Sequence, residues 1–184
     1  MEQLQTECTN LLKTIPAHVR LIAASKTRTI AEVRAAYQAG VTNFGENYVQ
    51  EGVDKALQLP EATWHFIGKL QRNKVNMALK AFTVFHTVES LKLLNKISSS
   101  AKRENLTPDV FIQVNVADES QKAGCSVDEL DEIVSRANEL PNIQLVGLMT
   151  LPPADVDPTP YFNKLKALAE HYNLPRLSMG MSGD

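Results

Sequence analysis

Apolar and polar positions along this chain switch repeatedly between two periods. Residues 2–14 carry Leu4, Leu11 and Leu12 on a partial stripe and predict a helix. "RLIAAS", from Arg20 to Ser25, is short, apolar and strand-like. Thr29 stands three residues before Glu32, the spacing of a capping box, so "TIAEVRAAYQAG" predicts a helix stopped by Gly40. The same alternation continues through strand "VTNFGEN", helix "YVQEGVDKALQL", strand "TWHFIG", helix "QRNKVNMALKA" and strand "TVFHTV". Helix "SLKLLNKISSSAKREN", strand "DVFIQVNV" and helix "SVDELDEIVSRANEL" follow, the last capped by Ser126 with Glu129 at the matching offset. Strand "IQLVGLMT", a proline-rich loop, helix "YFNKLKALAEHY" and strand "RLSMG" complete the order.

Near-continuous apolar strands separated by amphipathic helices predict a parallel sheet covered by helices. Two closures compete, an open doubly wound sheet and a (β/α) barrel with helix 2–14 plugging or flanking its bottom. Strict alternation, and the lack of a GxGxxG turn after the first strand, favour a TIM-like barrel of which seven strands are readable.

The chain has 184 residues, 43% of them hydrophobic, enough for one core and one domain spanning 1–184. Nineteen basic and 21 acidic residues give a formal charge of −2, which calls for neither nucleic acid nor an anionic membrane. The polar opening "MEQLQTECTNLLK" does not resemble a signal peptide, and the longest apolar runs are strand-length, too short for a membrane helix. Cys8 and Cys125 make no zinc or CxxC spacing, so a cytoplasmic, disulfide-free protein is expected.

In such a fold chemistry sits at the C-terminal ends of the strands. Those ends read Ser25-Lys26, Gly45-Glu46-Asn47, Gly68-Lys69, His86-Thr87, Asn115, Met149-Thr150 and Ser178-Met179-Gly180. The rim offers a lysine, amides, hydroxyls and glycines, but no metal-ligand cluster and no Ser-His-Asp set. Lys26 shares a strand face with Ile22 and Ala24. If that face points inward, desolvation makes a neutral, nucleophilic amine available; otherwise Lys26 is a solvated strand end. Asn47 in "FGENY" is either a ligand-facing amide or a helix cap. His65 reads as a core histidine bonded to a neighbour. Arg72 and Lys74 are a solvated helix face or an anion contact, and Lys122 a surface loop lysine. "LSMGMSGD" packs Ser178, Gly180, Ser182 and Gly183 beyond a strand, as an ordinary turn or a phosphate cradle.

Taken together and in order, "AASKT", "FGENYVQE", "WHFIGKLQRNK", "HTVES", "QVN…ESQKAG", "GLMT" and "LSMGMSGD" closely resemble the YggS/PROSC family. These are pyridoxal-phosphate homeostasis proteins related to the N-terminal barrel of alanine racemase, and the likeness runs from about Lys13 to Asp184. The resemblance implies a barrel holding pyridoxal 5′-phosphate as an internal aldimine on Lys26. It further implies Asn47 beside the cofactor, Ser178 and Gly180 in the phosphate cradle, and Lys122 near the mouth. It implies a carrier or buffer of the cofactor, exchanging with apoenzymes, and a monomer, rather than a catalyst. A barrel fragment that does not bind the cofactor is one rival and a racemase the other, but none of Tyr37, Tyr48, Tyr161 and Tyr172 sits in a motif that marks a second base. Members of the family carry a further helix, strand and helix with an Arg-x-Gly-Thr stretch. Lacking these, a seven-stranded form is expected to hold phosphate more weakly and to associate through its open edge.

Overall fold

The computed structural model describes residues 1–118 and 123–180. Its strands are β1 (Ala23–Ala24), β2 (Asn43–Glu46), β3 (Thr63–Phe66), β4 (Val84–Val88), β5 (Asp109–Gln113), β6 (Gln144–Thr150) and β7 (Arg176–Met179). They form one sheet in the order β1-β2-β3-β4-β5-β6-β7, every neighbouring pair parallel. Helices α1 (Glu2–Thr14), α2 (Ile30–Gln38), α3 (Val49–Gln58), α4 (Val75–Ala78), α5 (Leu91–Glu104), α6 (Val127–Glu139) and α7 (Thr159–His171) make the connections, α1 preceding the sheet.

Local signals set the helix starts. Thr29 and Ser126 each accept a backbone bond while Glu32 and Glu129 reach back, completing two capping boxes. Ser90 caps α5, and Asn105 ends it in the left-handed conformation. α1 buries no residue completely and packs on α2, where Leu12 lies against Gly40 at a φ of +107°.

Alternation along the strands creates two apolar layers. Phe44, Trp64, Phe66, Phe85, Val110 and Ile112 belong to the large core between sheet and helices, with the Phe66, Phe82 and Phe85 rings in mutual contact. Val84, Phe111, Val146 and Met149 form a separate small cluster. The sheet is curled: His86 on β4 lies 2.7 Å from Ser178 on β7, whereas three flat strand spacings would separate these strands by roughly 14 Å. The curl makes a half-barrel, which bears out the TIM-like barrel over the open doubly wound sheet.

Two elements depart from expectation. The strand foreseen over 20–25 is reduced to Ala23–Ala24, because β1 pairs only with β2. The helix foreseen over 71–81 is a 3₁₀ turn, Arg72–Lys74, leading into four residues of α-helix. Leu79 and Phe82 are drawn into the core there, and short-range backbone bonds at Lys80 and Ala81 turn the chain toward β4.

Candidate functional site

At the C-terminal end of the sheet the residues nominated from sequence take different roles. Ser25 is buried and Lys26 exposed, in a turn just past β1. Of the two readings of Lys26, a desolvated amine and a solvated strand end, the structure shows the solvated one. The strand ends at Ala24, and the turn that follows carries Lys26 into solvent at the C-terminal end, or mouth, of the sheet. Asn47 follows β2 and is half-buried, and its backbone lies under Gly68, where an added Cβ would come 2.1 Å from the Asn47 carbonyl oxygen. Only glycine at position 68 allows the two turns to approach so closely. Thr87 Oγ1 donates to the Gly68 carbonyl at 2.5 Å, fixing that turn from β4.

Ser178 lies within β7 rather than past it, and Gly180 follows the strand end. Ser182 and Gly183, like Lys122, lie outside the described residues. Arg72 and Lys74 are exposed, as a solvated face requires. Among the described residues no three metal-ligating side chains gather, and no helix is long and apolar enough to cross a membrane.

Below the mouth a line of polar groups crosses the inner face. Asn43 Oδ1 lies 3.1 Å from His65 Nε2, His65 Nδ1 lies 2.9 Å from His86 Nε2, and His86 Nδ1 lies 2.7 Å from Ser178 Oγ. His86 also stacks on Phe111, with ring centroids 4.5 Å apart. Burial, with Arg20 adding repulsion, pushes His65 down to about 4. Burial, with His65 beside it, pushes His86 down to about 3. Both imidazoles are neutral at physiological pH. His65 is thus the bonded core histidine expected, whereas its partnership with His86 and Ser178 joins strands that only a curled sheet brings together.

Sequence reasoning missed the charged cluster beneath Lys26. Glu46, at the end of β2, is completely buried, and its Oε1 accepts bonds from Ser25 Oγ and Lys55 Nζ, each at 2.7 Å. Lys55 on α3 is itself buried and also donates to Glu51 Oε1 at 2.7 Å and to the Ser25 carbonyl at 2.6 Å. Glu51 accepts in turn from the Thr27 backbone N–H at 2.7 Å. The bond from Lys55 holds the Glu51 carboxyl below its ordinary range, and that from Thr27 assists. The available signal was the four-residue spacing of Glu51 and Lys55 on one helix face.

A groove of about 340 Å³ lies at the opposite end of the strands, lined by residues that include Leu12, His18, Arg20, Thr42 and Asn43. It belongs to the N-terminal side of the sheet and holds none of the mouth residues.

A parallel half-barrel with a lysine after its first strand defines a class of protein, and the comparisons give that class its description. A family model described as "Alanine racemase, N-terminal domain" matches residues 1–184. Within that class the chain belongs to the family of pyridoxal phosphate homeostasis proteins. The protein of that name from Aquifex aeolicus (strain VF5) is 40% identical over 176 residues, covering 90% of this chain and 77% of the relative. The one from Escherichia coli (strain K12) is 35% identical over 182 residues, covering 92% and 78%. PipY of Synechococcus elongatus PCC7942, solved without PLP, superposes with a TM-score of 0.93 at 33% identity, covering 99% of this chain and 91% of PipY. PipY with PLP bound gives 0.90 at 32% identity and the same coverage. These relatives are named for homeostasis of a cofactor and not for a reaction, in line with the expectation of a protein that handles the cofactor without catalysing turnover.

Proposed function

We propose that this protein binds pyridoxal 5′-phosphate and serves its homeostasis, holding the cofactor through a Schiff base to Lys26 and passing it to apoenzymes. The observation that carries this reading is an exposed amine after β1 and, with Ser178 and Gly180, a hydroxyl and a glycine at the end of β7, all at the C-terminal end of one curled sheet. The PLP-bound form of PipY, at a TM-score of 0.90, supports the choice of ligand.

The residues present fit the group. Pyridoxal phosphate supplies an aldehyde, an aromatic electron sink and a phosphate. Lys26 offers an exposed amine, able to add to an aldehyde with loss of one water. Gly180 leaves backbone open to close approach, and the Ser178 hydroxyl is partly exposed beside it, a donor set suited to phosphate. Asn47 offers both a donor and an acceptor, in a turn packed against Gly68, which Thr87 holds. The neutral imidazoles below add no charge to the site. We place the protein in the cytoplasm, where free thiols such as Cys8 and Cys125 persist, and as a monomer.

Borohydride reduction after incubation with the cofactor, followed by peptide mapping, is expected to place the pyridoxyl group on Lys26. Lys26→Ala is expected to remove the adduct and to change the unfolding free energy by less than about 0.5 kcal/mol, since the side chain is exposed. Label confined to Lys122 or Lys74 would refute the assignment.

A further inference from the structure

The side chain of Lys26 is exposed, so its direction depends on the backbone of the turn that carries it. That turn is not relaxed. Thr27 has a φ of +64°, in the left-handed region, which β-branched residues rarely occupy. The residues on both sides of Lys26 are held from below by α3. Thr27 N–H donates to Glu51, and the Ser25 carbonyl accepts from Lys55 and from the Arg28 N–H. Glu51 and Lys55 pair with each other, and Glu46 anchors both Lys55 and the Ser25 hydroxyl. Among the described residues Glu46 Oε2 finds no hydrogen-bond partner, so the cluster carries a desolvation cost that its own pairing does not fully offset. A buried ion cluster is a poor means of stabilising a core, but it is a directional clamp on a strained turn.

We propose that Glu51 and Lys55 are positioning residues that hold the Ser25–Arg28 turn so that the Lys26 amine meets an aldehyde in one orientation. This rests on the reading of Lys26 given above. The step they serve is addition of the neutral amine to the aldehyde carbon. A carbon–nitrogen double bond forms, both nitrogen protons are lost with the carbonyl oxygen, and one water leaves. Toward the amine, Glu51 and Lys55 reach only the flanking backbone, at Thr27 and Ser25, so they set its rate of reaction rather than the affinity for the phosphate.

The test follows the absorbance change on mixing with pyridoxal phosphate, alongside calorimetric binding of pyridoxine 5′-phosphate, which lacks the aldehyde. Glu51→Ala is expected to slow the covalent step about tenfold while leaving pyridoxine phosphate affinity within about twofold. Glu51→Gln keeps an acceptor for the Thr27 N–H and is expected to stay near the wild-type rate. Adding Thr27→Gly to Glu51→Ala is expected to recover most of the loss, because glycine adopts a positive φ without strain. Amide exchange in the wild-type protein is expected to show the Thr27 N–H protected. An unchanged rate in Glu51→Ala, no recovery with Thr27→Gly, or a freely exchanging Thr27 amide overturns the proposal. A wild-type protein that forms no adduct at Lys26 overturns the Lys26 reading and this proposal with it; a normal rate in Glu51→Ala overturns the proposal alone.

Discussion

Replacing Lys55 with methionine tests whether the buried cluster behaves as one electrostatic unit. Methionine matches the unbranched stem and leaves little cavity, so the perturbation is the loss of the ammonium. That ammonium donates to Glu46, to Glu51 and to the Ser25 carbonyl at 2.7, 2.7 and 2.6 Å. Without it the Glu46 carboxylate, 0% exposed, keeps one bond, from the Ser25 hydroxyl. Breaking a buried pair from one side costs about 3–5 kcal/mol, because the remaining charge stays uncompensated. For a chain of 184 residues that lowers the melting temperature by roughly 6–20 °C. Urea denaturation gives the free energy directly. The double variant Lys55→Met/Glu46→Gln removes both charges and is expected to recover at least about 2 kcal/mol relative to the sum of the single changes. A single-variant loss below about 1 kcal/mol, or additive single changes, would show that the charges are solvated and that the clamp has no electrostatic strength.

Three further outcomes follow from the same coordinates. Burial depresses His65 to about 4 and His86 to about 3 from 6.5, so their contribution to stability is fully present above pH 6.5 and falls away as pH drops toward those values. At pH 5 the loss is about 2 kcal/mol for each imidazole, and His86→Gln should halve the pH slope of the urea midpoint; a flat profile between pH 7 and 5 contradicts this. Gly68→Ala sets a Cβ against the Asn47 carbonyl and is expected to cost about 1–3 kcal/mol and to lower cofactor retention on dialysis, whereas unchanged retention would separate that turn from the site. Ser126→Ala removes one half of the α6 capping box and is expected to cost about 1 kcal/mol by urea denaturation, with cofactor retention unchanged.

The strand–helix order was legible because each element signals itself within a few residues. Thr29 with Glu32, and Ser126 with Glu129, announce helix starts that the structure confirms bond by bond. β1 misled because an apolar run is a statement about burial, whereas a strand requires partners, and Ala23 and Ala24 find one on a single side. The position of Lys26 at the strand end was legible, and its exposure was one of two readings; the choice between them rests on a turn that begins one residue earlier and changes what the side chain meets. The cluster of Glu46, Glu51 and Lys55 was hidden for a different reason. A charged pair four apart on a helix resembles a solvated face until β1 and β2 are laid against it. The link between His86 and Ser178 spans 92 positions and exists only because the sheet curls.

The row of imidazoles across the barrel also has a direction. Asn43 Nδ2 donates to Thr42 Oγ1, which leaves Oδ1 to accept from His65 Nε2–H. His65 Nδ1 then accepts from His86 Nε2–H, and His86 Nδ1 accepts from the Ser178 hydroxyl. Every proton along the row points from the mouth toward the groove at the other end. Neutral groups with one donor and one acceptor each allow only two such arrangements, this one and its reverse. Were the Ser178 hydroxyl to donate elsewhere, the reverse would hold: both imidazoles would change tautomer, and the Asn43 amide would turn over to donate to His65. Thr42 and Asn43 line the far groove, so the row ties the Ser178 end of the sheet to that groove, and a change of tautomer at one end has to be matched at the other.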